Sequence, residues 1–106
     1  VIYVPTDNTV AENTGIIDNV CAPKKVPVIA GEEGICKGCG VATLSISYYN
    51  LGYATGKMAV KVLKGEADIS TLAIGYAETQ TPKYNKAICD ALGITPLEGY
   101  VAIEDN

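Results

Sequence analysis

Hydrophobic and polar positions along the chain follow two different periods, and these periods predict an alternation of strands and helices. Residues 1–4, 26–30 and 42–46 are short, largely apolar and rich in β-branched side chains, which predicts strands, the first of them buried on both faces. Residues 9–21 and 51–64 carry apolar side chains at spacings of three and four, which predicts helices. The order strand, helix, strand, turn, strand, helix predicts an α/β fold, with a parallel sheet flanked by helices.

The sequence contains a capping signal at each end of the helix predicted over residues 51–64. Asn50 can accept hydrogen bonds from the free N–H groups of the first turn, and Gly65 supplies a C-terminal stop. The apolar stripe comprises Leu51, Ala54, Met58, Ala59, Val62 and Leu63, and the polar side comprises Lys57, Lys61 and Lys64. In the first helix the predicted inner face comprises Val10, Ile17, Val20 and Cys21.

The pattern is weaker after Gly65. Residues 72–77 are predicted as a fourth strand or extended segment, and residues 81–85 as the lead into a short helix over residues 86–92. Gly93 ends that helix, and residues 100–103 are predicted as an edge strand.

Composition narrows the classes of protein to which the chain can belong. A chain of 106 residues with 48% hydrophobic and 19% charged residues is predicted to fold as one domain. A net charge of −4 and the lack of a basic cluster argue against a nucleic-acid partner, and no apolar run approaches the roughly 20 residues of a spanning helix. The chain starts in an apolar run at Val1, so we expect it to be a piece of a longer protein.

Reactive side chains are few. The absence of histidine excludes Ser-His-Asp triads, Cys-His pairs and histidine metal sites within this piece. Cys36 and Cys39 form a lone CxxC, which fits dithiol redox chemistry, half of a metal site, or two incidental loop cysteines that can oxidise to each other; the last interpretation is favoured. Cys21 and Cys89 are expected to pack as small apolar groups. We therefore expect no catalysis, no metal and no cofactor.

Polar side chains collect in the three loops that follow the predicted strands. These loops are residues 6–9, 31–33 and 47–50, and the carboxyl ends of parallel strands meet at one edge of a sheet. Their carboxylates, hydroxyls and tyrosine rings suit a small polar ligand that carries an amine and a ring. In the alternative interpretation, Asp7 and Asn8 only cap a helix and Glu32 and Glu33 lie in a solvated loop. Adjacent tyrosines face opposite ways if extended, so one can bind while the other packs.

Four runs of sequence, in this order, resemble a known family. They are IYVPTDNTVAEN, KVPVIAGEEG, GVATLSISYYNLGYATGKMAVKVLKGEADI and NKAICDALGITP. They resemble the ABC transporter substrate-binding proteins of the tryptophan/tyrosine-binding type, which have the type I periplasmic-binding fold. The resemblance implies two α/β lobes joined by three crossing strands. Residues 1–106 would then be a fragment, with about 1–46 in the C-terminal lobe, 47–50 at a hinge, about 51–65 in a helix of the N-terminal lobe, and the remainder crossing back.

The resemblance also implies a function. The parent would be the extracytoplasmic solute-binding component of an ABC importer, which captures a small molecule, expected to be an aromatic amino acid, by hinge closure and delivers it to an ABC permease. The alternative is the effector-sensing lobe of a transcription regulator of the same fold. Carried over by position, the ligand-binding residues are Asp7, Asn8, Glu32, Ser47 and Tyr48, although Ser47 stands where members commonly carry Asp. Without the rest of its lobe, the apolar stripe of helix 51–64 predicts that the isolated chain either packs this helix onto its own sheet or associates with a second copy.

Overall fold

The computed structural model describes residues 1–104, so the last two residues of the predicted 1–106 fragment lie outside the described residues. Its strands are β1 (Ile2–Val4), β2 (Val28–Ala30), β3 (Ala42–Ile46), β4 (Gln80–Tyr84) and β5 (Val101–Ala102). Its helices are α1 (Asn8–Ala11), α2 (Thr14–Cys21), α3 (Glu33–Cys39), α4 (Tyr48–Leu63) and α5 (Lys86–Leu92), and a 3₁₀ turn spans Ala22–Lys24.

The strands form one sheet in the order β1-β2-β3-β4-β5. Parallel pairing joins β1 to β2, β2 to β3 and β4 to β5, and Ala30 of β2 lies opposite both Val4 and Thr43. The predicted α/β fold with a parallel sheet is therefore confirmed for these strand pairs.

The core lies where α2 and α3 pack against alternate residues of the first strands. Its members are Val4, Val28 and Ala30 from the strands and Cys21, Ile35, Cys36 and Cys39 from the helices. A Cβ atom on Gly38 would lie 2.1 Å from Thr14 Oγ1, so this glycine permits the close approach of α2 and α3. Cys21 and Cys89 are 6% and 2% exposed, which confirms their predicted role as small buried groups.

Three details of the first predicted strand and helix are wrong. Strand β1 is not buried on both faces, because it is the edge strand of the sheet and only Val4 reaches the core. The predicted helix 9–21 is broken into α1 and α2 at Asn13, whose side-chain amide donates to the Thr9 carbonyl at 2.8 Å and competes with helical hydrogen bonding. Val20, predicted on the inner face, is exposed.

One strand in the last third of the chain was not predicted from the sequence. Residues 72–77 are not a strand, and β4 lies instead in the segment predicted as a lead into a helix. Pro82 has no N–H group to donate to a neighbouring strand, but the next two residues, Lys83 and Tyr84, pair with Val101 and Ala102 of the edge strand β5. The predicted bounds of α5 are confirmed. Gly93, the residue after this helix, has a φ of +72°. Strand β5 falls within the predicted edge strand.

The described chain divides into two compact units. The first comprises Val1–Ser45 and the segment from Thr81 onward, and the second comprises Ile46–Gln80. The assignment of residues to a C-terminal lobe, a hinge and an N-terminal lobe stays a prediction.

Helix α4 dominates the second unit and begins three residues earlier than predicted. Ser47, not Asn50, is the N-cap, and its hydroxyl accepts from the Asn50 N–H at 3.2 Å, which brings Tyr48, Tyr49 and Asn50 into the helix. The predicted end is confirmed, since Lys64 is the C-cap and Gly65 has a φ of +72°.

Candidate functional site

In the first unit, the loops after β1 and β2 lie against each other at the carboxyl ends of these strands. The Gly31 N–H donates to the Val4 carbonyl at 2.7 Å, and a Cβ atom on Gly31 would lie 2.7 Å from the Thr6 nitrogen. Only glycine allows this approach, because any larger side chain would meet backbone. The structure thus brings together the loops that carry Asp7 and Glu32.

Asp7 and Asn8 begin helix α1. The Asp7 carboxylate accepts from the Val10 N–H at 2.9 Å as the N-cap, and Asn8 is the first helical residue, with an exposed side chain. The capping role considered for Asp7 is therefore present. A carboxylate oxygen that accepts one hydrogen bond keeps a second lone pair, so capping leaves room for a ligand contact.

Glu32 is the N-cap of helix α3 and Glu33 is its first residue, so the alternative in which both lie in a solvated loop is wrong. One carboxylate oxygen of Glu32 accepts from the Gly34 N–H at 2.8 Å, and the other accepts from the Ile35 N–H. These bonds satisfy two of the N–H groups that the first turn of a helix leaves free. Glu32 is therefore held in place at the rim of the sheet.

A polar cluster formed by Glu33, Lys83 and Ser45 was missed by sequence reasoning. The Lys83 ammonium donates to both carboxylate oxygens of Glu33 at 2.8 and 2.7 Å, and Ser45 Oγ donates to Glu33 at 3.1 Å. The bonds from Lys83 and Ser45 lower the pKa of Glu33, against an opposing effect of burial. Fifty residues separate Glu33 from Lys83, so local spacing carries no signal for this pair.

The CxxC motif lies in helix α3 and not in a loop, which corrects the prediction. All four cysteines are buried free thiols. Burial raises the pKa of Cys36 to about 12, and the neighbouring Cys89 and Cys39 add to this effect. Because the thiolate is the reactive form, a thiol in this state is a packing group and not a redox centre.

In the second unit, the predicted site residues Ser47 and Tyr48 lie at the start of α4. Ser47 caps the helix, and Tyr48 is exposed. Beside them is a cavity of about 330 Å³, lined by Ser47, Asn50, Tyr53, Ala54, Lys57, Ala77, Glu78 and Thr79. The Lys57 ammonium lies 4.6 Å from the centre of the Tyr53 ring. Sequence reasoning placed Ser47 and Asn50 in a candidate ligand loop but did not consider the other lining residues. The four-residue spacing of Tyr53 and Lys57 is the signal that could have found those two.

Within residues 1–104, no group of three or more cysteine, aspartate or glutamate side chains is arranged to hold a metal ion. No helix in that range has the length and apolar character needed to cross a bilayer.

The chain is similar to known proteins over nearly its whole length. Residues 1–103 match the sequence profile of the ABC transporter substrate binding protein family. A tyrosine-binding protein of Clostridioides difficile (strain R20291) is 40% identical over 67 residues, which are 63% of this chain and 19% of that protein.

Solved structures show the same fold. The ligand-free, open structure of a substrate binding protein with adhesive properties from Clostridium difficile is 35% identical, with a TM-score of 0.75, and the match covers 98% of this chain and 36% of that chain. The ABC domain from Streptococcus pneumonia in complex with L-Trp is 34% identical, with a TM-score of 0.77, and covers 94% of this chain and 36% of that one. The chain thus spans about a third of these solved relatives.

Family profile, curated relative and solved structures agree, and the profile covers all but the last three residues. The chain belongs to the ABC transporter substrate-binding protein family.

Proposed function

We propose that the full-length protein is the extracytoplasmic solute-binding component of an ABC importer and that its ligand is an aromatic amino acid. The observation that carries this proposal is the family match over residues 1–103, together with relatives named for tyrosine binding and solved with L-Trp. Proteins of this family typically work outside the cytoplasm with an ABC permease, which is the partner that we propose here.

The proposed ligand contacts are Asp7, Asn8 and Glu32 in the first unit and Ser47 and Tyr48 in the second. Carboxylate oxygens accept from an ammonium group, and the capped positions of Asp7 and Glu32 fix those oxygens before the ligand arrives. The exposed Tyr48 ring offers a flat apolar face with a hydroxyl at its end. This set suits a small molecule with an ammonium group and an aromatic ring.

The proposed mechanism is hinge closure of two lobes. A ligand that contacts both lobes binds the closed state more tightly than the open state, so it shifts the population toward closure by that difference in affinity. No bond of the ligand is made or broken, and the protein acts as a carrier and not as an enzyme. The transcription-regulator alternative is not favoured, since the named relatives are substrate-binding proteins.

Calorimetric titration of the full-length protein tests the ligand class. We expect L-tyrosine or L-tryptophan to bind more tightly than any aliphatic or charged amino acid. Binding of a sugar or nucleoside, with no response to any amino acid, would refute the proposal.

A further inference from the structure

The ion pair between Glu33 and Lys83 lies directly beside Glu32, one of the proposed ligand contacts. Glu32 is the N-cap of α3, and Glu33 is the first residue of that helix. Both oxygens of the Glu33 carboxylate accept from the ammonium group of Lys83 in β4, at 2.8 and 2.7 Å. The hydroxyl of Ser45 in β3 donates to the same carboxylate at 3.1 Å. All of these residues belong to the first compact unit.

Two neighbouring carboxylates lie at the start of α3, but only one of them caps the helix. The free N–H groups of a first helical turn carry partial positive charge and attract either carboxylate. The N–H groups of Gly34 and Ile35 donate to Glu32. The carboxylate of Glu33 is instead bound by the ammonium of Lys83. The two carboxylates thus have separate donors.

We propose that Glu33 and Lys83 are positioning residues for Glu32, because each keeps the other from interacting with the Glu32 carboxylate that receives the ammonium group of the ligand. This inference rests on the proposed function, in which Glu32 contacts that ammonium. Without Lys83, the Glu33 carboxylate would compete for the N–H groups that hold Glu32 and would repel its like charge. Without Glu33, the Lys83 ammonium would pair with Glu32 in place of the ligand.

The hydrogen bonds of Glu32 explain why its orientation matters for affinity. Each oxygen that accepts from one N–H group keeps a second lone pair for the ligand. Because the side chain is held before the ligand arrives, binding loses less conformational entropy than it would with a mobile glutamate. The pair of Glu33 and Lys83 therefore contributes to affinity without contacting the ligand.

Calorimetric titration of the full-length protein with L-tyrosine and L-tryptophan tests the inference. We expect Glu33→Gln and Lys83→Met each to weaken binding about 3- to 10-fold, as for partial loss of a charge-assisted hydrogen bond. The double variant should regain most of the affinity, because neither competitor remains. Lys83→Arg keeps the pairing with Glu33 and should bind like the wild type. In a Glu32→Gln background, which should itself bind more weakly, neither single substitution should have a further effect.

Amide hydrogen exchange gives a readout that does not depend on the ligand. The N–H groups of Gly34 and Ile35 report directly on Glu32, because they donate to its carboxylate. Their exchange should become faster in each single variant and return toward the wild-type rate in the double variant.

The pair of Lys86 and Asp90 provides matched controls, because it lies in the same unit and carries the same charges. Lys86→Met and Asp90→Asn should bind like the wild type, which separates positioning from a change in overall charge. Unfolding midpoints of all variants separate loss of binding from loss of folding. Wild-type affinity in the folded single variants or in Glu32→Gln, or a double variant as weak as the weaker single, would overturn the inference while the proposed function stands; a wild type that binds neither amino acid would overturn both.

Discussion

At the scale of single residues, the thiols of Cys36 and Cys39 show how burial determines chemistry. Both are in the core, and they donate to the carbonyl oxygens of Gly40 and Ile35 at 3.5 and 3.4 Å. The pKa of each is raised, chiefly by burial. In a CxxC motif that is active in redox chemistry the thiol pKa is lowered, so the direction of these shifts argues for a structural role.

We therefore expect the native chain to react slowly with a thiol reagent. Ellman's reagent at mildly alkaline pH should label little of the native protein and all four cysteines after unfolding in denaturant. Cys36→Ser should lower the final count by one and leave the slow native phase unchanged. Rapid labelling of two thiols before unfolding, or a count of two in denaturant, would contradict this interpretation.

Glu33 is the second residue whose environment makes a measurable prediction. Its pKa is lowered by Lys83, so its contribution to stability is present above the ordinary pKa of glutamate and is lost as the pH falls through the lowered value. Because the two side chains are 37% and 27% exposed, solvent screens the pair, and we expect Glu33→Gln to cost about 0.5–1 kcal/mol at neutral pH.

Denaturant unfolding across a pH series checks this expectation. The difference between wild type and Glu33→Gln should shrink toward zero in acid. Asp90→Asn, in the more exposed pair with Lys86, is the matched control and should change stability less. A cost of Glu33→Gln that persists unchanged in acid would show that the ion pair is not its cause.

At the scale of elements, the sequence predicted those whose signals are local. The apolar run of β3 and the Gly93 stop of α5 place these elements correctly, because both signals lie within a few residues. The start of α4 was misplaced because Ser47 and Asn50 are both good N-caps, and periodicity alone does not choose between them. Strand β4 was missed because its pairing with β5 involves residues far away in sequence.

The sequence predicted the part of the candidate site that follows from strand order, but it did not predict the cavity beside α4. The positions of Asp7 and Glu32 after β1 and β2 follow from strand order, so the sequence placed them at the sheet edge. The cavity of the second unit depends on where residues 77–79 return beside α4. These residues have no periodic pattern, and their position is set by the tertiary fold.

Helix α4 also supports a prediction about the isolated chain. Leu63 is 86% exposed and Val60 is 47% exposed, while Met58 and Val62 border an apolar groove with Ile69 and Leu72. Exposed apolar surface of this kind favours association, so we expect a mass above 11.1 kDa by light scattering, rising with concentration.

Variants of α4 make the association test specific. Val60→Gln with Leu63→Gln should move the isolated chain toward the monomer, whereas Lys64→Gln, at the polar C-cap, should not. A wild-type chain that stays monomeric at all concentrations while α4 remains folded would contradict the prediction.

At the scale of the whole molecule, the chain carries the family's fold over about a third of the length of its solved relatives. One of those relatives is described as open and ligand-free, and another is in complex with L-Trp. We propose that in the full-length protein a ligand contacts both lobes and stabilises the closed state.

Small-angle X-ray scattering of the full-length protein, with and without the aromatic amino acid that binds best, tests this claim most directly. Closure should reduce the radius of gyration at saturating ligand, and a non-binding amino acid should leave it unchanged. Saturation by the ligand with no change in the radius of gyration would contradict capture by closure.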